Sequence, residues 1–468
     1  MYSYNNQIRT NYYSTINADE QSQSAKEVCQ NEELKEYSTN PIIKHNNSIN
    51  YVPYNPTFSA SSLRTRLNSK DEQKKYNALI QNSDKQTRKA LDSLLKSGIL
   101  LNNNSTDKSS VLDNLYNVLT TQRAVGLDNK SLVKDLVTTL SNPYTITQQF
   151  GDIPRDKQSS VLNIYNSTKK SSTPLKDINV THSGTCVAAS IEFTLAQEMP
   201  AEFSRIAAGL TSPKIAADKT IHLDKLADNT LDAIWLLNAF EVPYTAKDFN
   251  TANLTLKPDN TAIVRAQIQT TDKDPGERTP IDVLMQSTFI NIGSQQSYNT
   301  LSDKREGKFN QNDKGLIEFE KTFVESIVED RNKISVTYQT VYENARLVGY
   351  ETDMDTLKRH LKTALDSGEN VILGYTQTDN NNIIINGHEI TLVGYKQNPK
   401  THKLTFICND TDDGVSKPIE YSEDYLLPKI HHAALPKAVV ENDLQIVDNW
   451  VEGLEAFQQM RKQSNKAA

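Results

Sequence analysis

Three widely separated stretches carry side chains that could act as one nucleophilic set. Cys186 stands in Ser183-Gly184-Thr185-Cys186-Val187-Ala188-Ala189, where a loop gives way to an apolar, alanine-rich run reaching about Met199. That pattern predicts a cysteine on the first turn of a buried helix. A helix N-terminus carries unpaired N–H groups and a partial positive charge, which favour a thiolate over a thiol. His388 lies in Asn386-Gly387-His388-Glu389 and opens the expected strand Ile390–Tyr395. The next expected strand, Leu404–Cys408, runs into Asn409-Asp410. A single hairpin therefore brings Asn409 or Asp410 beside His388. The cysteine attacks a carbonyl, the histidine pairs with the thiolate and protonates the leaving group, and Asn409 or Asp410 holds the imidazole in the useful tautomer. The backbone N–H of Cys186 supplies part of an oxyanion hole.

These residues need a helix on one side of a cleft and a sheet on the other, and the flanking sequence supplies both. Residues 1–60 are rich in Asn, Ser, Tyr, Gln and Glu without apolar periodicity, and read as a disordered arm. Residues 61–170 read as a small helical module. Asp84 caps a helix through Lys96 with Gly98 past its end, Ser110 caps a second, Asn129–Leu140 forms a third, and Ser159–Asn166 a short fourth. Cys186 to Met199 is apolar nearly all round, the mark of a buried helix. Further on, Leu231–Phe240 and Pro280–Ile290 read as helices, and Trp235 and Phe240 as core. Thr261–Ile268 alternates like a strand, and Asn291–Asn312 reads as an exposed loop. Leu316–Val328 is expected to be an amphipathic helix and Ile334–Val341 a strand. A helix capped by Thr352 or Asp353 follows through Leu365, then the strand Val371–Thr376 and the polar loop Asp379–Asn382. Residues 436–468 close the chain as a helical tail, with its helix at about Asp443–Gln463.

Composition narrows the function classes. The chain has 468 residues, 37% hydrophobic, with a formal net charge of −7, so nothing marks a basic nucleic-acid surface. Its mean hydropathy is −0.60, and no apolar run is long enough for a membrane span. The three cysteines, Cys29, Cys186 and Cys408, make no disulfide framework and suit a reducing compartment. Without a basic n-region and apolar h-region at the start, the expected location is cytoplasmic, with export through a disordered N-terminal address as the alternative. His431-His432 lacks a third ligand at suitable spacing, so neither metal nor cofactor is expected.

Taken together, Thr185-Cys186 before a buried helix, the segment Gly387-His388-Glu389-Ile390-Thr391-Leu392-Val393-Gly394-Tyr395, and Phe406-Ile407-Cys408-Asn409 resemble the papain-like cysteine peptidase superfamily. The resemblance implies an α+β fold in residues 171–435. A central buried helix would pack there against a twisted antiparallel sheet or half-barrel. It implies hydrolysis of a protein or peptide substrate through a thioester acyl-enzyme. The sequence departs from the family pattern in three places. Val187 stands where an aromatic residue usually follows the cysteine, and Val180 where a glutamine usually donates to the oxyanion. Asn409 is followed by Asp410-Thr411 and not by Ser-Trp-Gly. Asn179, Thr181 and His182 are then the oxyanion candidates, and Asp410 competes with Asn409 as the orienting residue, as in divergent bacterial relatives. Two alternatives share the pattern: a transglutaminase- or deamidase-type acyl transferase, and a catalytically inactive peptide-binding or scaffold protein.

Overall fold

A computed structural model describes residues 64–149, 163, 166, 184–271, 277–305, 307, 315, 316, 318–341, 347–350, 352–378, 384–412, 416–441, 443, 447 and 448. The N-terminal arm, Asn179, Thr181, His182, the loop at 379–382, most of the fourth helix and the expected C-terminal helix beyond 448 lie outside the described residues.

Four helices open the described chain: α1 (Lys70–Asn82), α2 (Lys85–Ser97), α3 (Val111–Thr120) and α4 (Asn129–Ser141). Their limits are written in short polar side chains. The Asp84 carboxylate accepts from Thr87 N–H, and Gly98 closes α2 at φ 82°, a left-handed conformation open to glycine. Ser110 and Asp113 form a reciprocal capping box on α3. The apolar faces of these helices merge into the core around the central helix α5 (Cys186–Glu198), through contact of α3 with α6 (Pro200–Leu210). Pro200 sits at the first turn of α6, where its missing N–H costs nothing.

A three-stranded antiparallel sheet follows, with order β1 (Ala217–His222), β3 (Thr251–Leu256), β2 (Tyr244–Ala246). Helix α7 (Thr230–Ala239) lies between β1 and β2 in the chain. Phe240 is fully buried and stacks on Phe323 at 3.9 Å between ring centroids, whereas Trp235 is half-buried and Leu231 is 77% exposed. Helices α8 (Ala262–Thr271) and α9 (Pro280–Gly293) pack on each other. The alternation expected to make a strand of 261–268 thus belongs to a helix. Ala262 and Ala266, one turn apart, bury small side chains that let α9 approach.

The segment expected to be an exposed loop, 291–312, is also corrected. Its described part carries the short ladder β4 (Tyr298–Asn299) with β5 (Lys304–Arg305) and buries Tyr298, Leu301, Asp303 and Arg305. The Arg305 Nη1 and Nη2 atoms pair with Glu320 and the Gly315 carbonyl, which accounts for a fully buried arginine in polar sequence although its Nε finds no partner among the described residues. Glu320 lies on α10 (Glu318–Glu329), which is not amphipathic in its surroundings: Glu320, Lys321, Glu325 and Glu329 are all buried.

The last strands complete an α+β architecture. Those outside the main sheet are β7 (Gln339–Val341) and β8 (Leu347–Tyr350), which pair with each other. The main sheet contains β6 (Lys333–Thr337), β9 (Val371–Thr378), β10 (Ile384–Gln397), β11 (Leu404–Asn409), β12 (Ile419–Ser422), β13 (Ile430–Pro436) and β14 (Val447–Asp448). Its order is β12-β11-β10-β9-β13-β6-β14, and every neighbouring pair is antiparallel. Helix α11 (Met354–Ser367), capped by Asp353 and closed by Gly368, covers a second core of Leu357, Leu361, Leu373, Ile390 and Phe406. Past β13 the chain forms the short helix Lys437–Val440, and Val447–Asp448 pairs with β6 as β14. No helix among the described residues is long and apolar enough to cross a membrane.

Candidate active site

Helix α5 begins at Cys186, and from Val187 to Ala196 every side chain is buried. Cys186 itself is only partly buried, as is Gln197 near the other end of the helix. The preceding loop is held from below. Gly184 N–H donates to Asp303 Oδ2 at 2.8 Å, and the Tyr298 hydroxyl donates to the other oxygen of Asp303 at 2.7 Å. Gly315 passes so close that a Cβ on it would lie 2.9 Å from the Gly184 carbonyl oxygen, which only a glycine tolerates without displacement.

His388 does not open its strand. Strand β10 starts at Ile384, with a register shift between Ile384 and Asn386, so His388 lies within the ladder opposite Tyr375 of β9. Asn386 and Gly387 pair regularly with Gln377 and Thr376 of β9, past that irregularity. The Tyr375 ring meets the imidazole edge-on at 6.0 Å. On the other side of β10, Thr391 pairs with Asn409 of β11, and Asp410 follows one residue beyond the strand. Asp410 is therefore the residue that reaches the histidine: His388 Nε2 lies 2.6 Å from Asp410 Oδ1. Asp410 Oδ1 also accepts from Asp412 N–H at 3.0 Å. Asn409 is buried in the ladder, and its Nδ2 finds no hydrogen-bond partner among the described residues. Of the two orienting candidates, the structure brings Asp410 to the imidazole and leaves Asn409 aside.

Cys186 lies beside the His388 ring, close enough to bear on its titration. With Nε2 taken by Asp410, Nδ1 is the nitrogen left for sulfur. Burial disfavours the imidazolium, but the Asp410 charge and hydrogen bond, with the sulfur contact, outweigh it and hold the His388 pKa well above the ordinary histidine range. Burial likewise pushes Asp410 up, and the His388 charge and bond prevail to keep it below the usual aspartate value. The arrangement is an imidazole bonded to a carboxylate and set beside a cysteine at a helix N-terminus. Chemically it can stabilise a thiolate and deliver a proton next to it.

Several supporting residues escaped the sequence. Gln286, in the middle of α9, is fully buried and joins the Thr185 hydroxyl to Glu192 of α5. Its one signal was an amide side chain inside an otherwise apolar stretch. Burial, then the neighbouring Asp282 charge, raises the Glu192 carboxyl well above the usual range, so it is held neutral. Glu389, beside His388, accepts from Lys321 Nζ at 3.0 Å and faces His432 Nε2 at the same distance. Burial opposes its ionisation, but those two cations bring its pKa down to about 2. His431 and His432 approach one another, 2.9 Å between their Nδ1 atoms, and no group of metal-ligating side chains occurs among the described residues. Comparison with protein-family models, with curated proteins and with solved structures finds no match for this chain.

Proposed function

We propose that the protein is a papain-like cysteine peptidase that hydrolyses peptide bonds through a thioester. The observation that carries the reading is His388 paired with Asp410 and set beside Cys186 at the start of a buried helix. The Cys186 thiolate adds to the scissile carbonyl, and the oxyanion meets the N–H groups of the first turn of α5. The C–N bond breaks as the His388 imidazolium gives its proton to the amine. Water then adds to the thioester, losing its proton to the now neutral His388. Collapse breaks the C–S bond, releases the carboxylic acid and restores the ion pair. Asp410 stays ionised and fixes the ring. Cys186 and Cys408 are both free thiols, which fits a reducing compartment such as the cytoplasm.

An electrophilic epoxide probe with an intact-mass readout tests this. The expected result is one adduct at Cys186, absent in Cys186→Ala and much slowed in His388→Ala. Labelling no faster than at Cys29, or indifferent to His388→Ala, removes the catalytic pair and leaves a binding protein. With labelling established, product masses from a peptide pool decide between hydrolysis and acyl transfer to an amine.

A further inference from the structure

The two sides of the site arrive from distant parts of the chain. Cys186 comes on α5 and Asp410 at the end of β11, and a continuous path of buried hydrogen bonds runs between their loops. It starts at Thr185, the residue before the nucleophile. As the N-cap of α5, Thr185 would ordinarily turn its hydroxyl onto the first helical turn, yet the side chain makes no capping bond. The hydroxyl donates instead to Gln286 Oε1 at 2.8 Å. Gln286 Nε2 in turn donates to the Thr147 carbonyl at 2.9 Å. The Thr147 hydroxyl donates to the Thr411 carbonyl at 3.1 Å, and Gln148 N–H donates to that same oxygen at 3.0 Å. Thr411 returns its own hydroxyl to Gln148 Oε1 at 3.2 Å. Thr411 is the neighbour of Asp410. Thr185, Gln286, Thr147 and Thr411 are all buried, so these bonds are not exchanged for water and each broken one leaves an unpaired polar group.

From this path we propose that Gln286 is a positioning residue. Together with the 146–149 segment leading out of the helical module, it ties the nucleophile loop to the Asp410 loop and so sets the distance across the catalytic pair. The inference rests on the proposed role of Cys186, His388 and Asp410, but the tie itself is a physical link that can be measured without any reaction. It also assigns the helical module a task. Its 146–149 segment is built into the site as a bridge, and removing the module removes the bridge. An amide suits the centre of this path because it accepts from Thr185 and donates to Thr147 at once, whereas an apolar leucine does neither.

The test compares Gln286→Leu with Thr288→Val, a buried polar loss on the same helix whose hydroxyl bonds only the Leu284 carbonyl. Thr185→Val and Thr185→Ser serve as a break-and-rescue pair. Hydrogen exchange is followed in peptides covering residues 184–187 and 410–412, together with the pH profile of Cys186 alkylation by iodoacetamide. The expected result is faster exchange in both peptides for Gln286→Leu and neither for Thr288→Val. Alkylation at neutral pH should fall roughly ten- to a hundredfold, as displacement by about an ångström would produce, with recovery in Thr185→Ser but not in Thr185→Val. Faster exchange confined to 184–187 overturns the tie and leaves Gln286 a local prop. Equal effects from Thr288→Val overturn it too, by showing general loosening of α9. If wild-type Cys186 alkylates like an ordinary thiol, the peptidase reading falls, while the exchange of the two loops still decides the tie.

Discussion

The two ends of α5 use buried charge in opposite ways. At its N-terminus the partial positive charge of the helix falls on Cys186, and the bonded pair of His388 and Asp410 stands beside it. At its C-terminus stands Glu198, a carboxylate where the helix already presents negative charge. It is accommodated by Arg331, which pairs with it, and by Asn370 N–H donating at 2.9 Å. Around Arg331 and Lys333 gather Glu325, Glu329 and Glu369, with Lys333 Nζ 3.2 Å from both Glu325 and Glu369. Four carboxylates share two cations. Burial therefore pushes Glu325 up to about 8 in spite of Lys333, with Glu329 adding repulsion. A polar cavity of about 290 Å3 opens beside this end. The lining carboxylates Glu198 and Glu202 are already engaged, by Arg331 and by Arg205 and Lys219. Strong perturbation of titrating groups is common to both ends, so it does not by itself mark the chemistry. The N-terminal end differs in holding a partly exposed nucleophile against the perturbed pair.

Substitutions should separate the two ends cleanly. Lys333→Met strips a fully buried cation from its carboxylates and should cost about 3–5 kcal/mol of stability, as breaking buried pairs does. Denaturant unfolding measures it, and the alkylation rate of Cys186 in the folded variant should stay at the wild-type value. Asp410→Ala should act in the reverse sense. Alkylation at neutral pH should drop by about a hundredfold, with a smaller change in stability. Asn409→Ala should change the rate by less than about threefold, since no bond from Asn409 reaches the ring. Equal losses in the two variants would return the orienting role to Asn409.

Next in size is the His388 titration, followed by NMR of the ring nitrogens. In the wild type it should lie well above 6.5. Asp410→Asn removes the stabilising charge, and burial then drives the pKa below the ordinary value. The linkage sign follows. The stability contributed by His388 is complete below about pH 6.5 and is lost as pH rises through its raised pKa. That contributed by Asp410 is present above about pH 3.8 and is lost as pH falls through its lowered pKa. A further pH effect belongs to the other end. Glu325 binds a proton on folding, so stability should decline as pH rises from about 4.5 to about 8. Glu325→Gln should flatten that slope, measured as the change in unfolding midpoint between pH 5 and 8.5, without moving the His388 titration.

Local signals carried much of the fold. Asp84 with Gly98, Ser110 with Asp113, and Asp353 with Gly368 mark helix ends because a cap is a bond between neighbours in the chain, complete before any packing. The all-round apolar run after Cys186 required a buried helix for the same local reason. The hairpin of β10 and β11 was readable from two apolar strands and the turn at 398–402 between them. Where local signals were equivocal they failed. The two-residue alternation at 261–268 also fits a helix once Ala262 and Ala266 have α9 to pack against. The polar stretch from 291 hides buried groups, because Asp303 and Arg305 meet Gly184 and Glu320 only after distant elements dock.

The sequence by itself determined that a cysteine would start a buried helix and that a histidine would lie on a neighbouring hairpin with two acidic or amide candidates. Tertiary structure decided that Asp410 and not Asn409 meets the imidazole, because that choice depends on which side chain leaves the ladder as β11 ends. It also decided that Gln286 and Thr147 stand behind the site and that α10 buries its charges. Such partners lie far apart in the chain, and their bonds acquire direction and strength only when packing excludes water from between them.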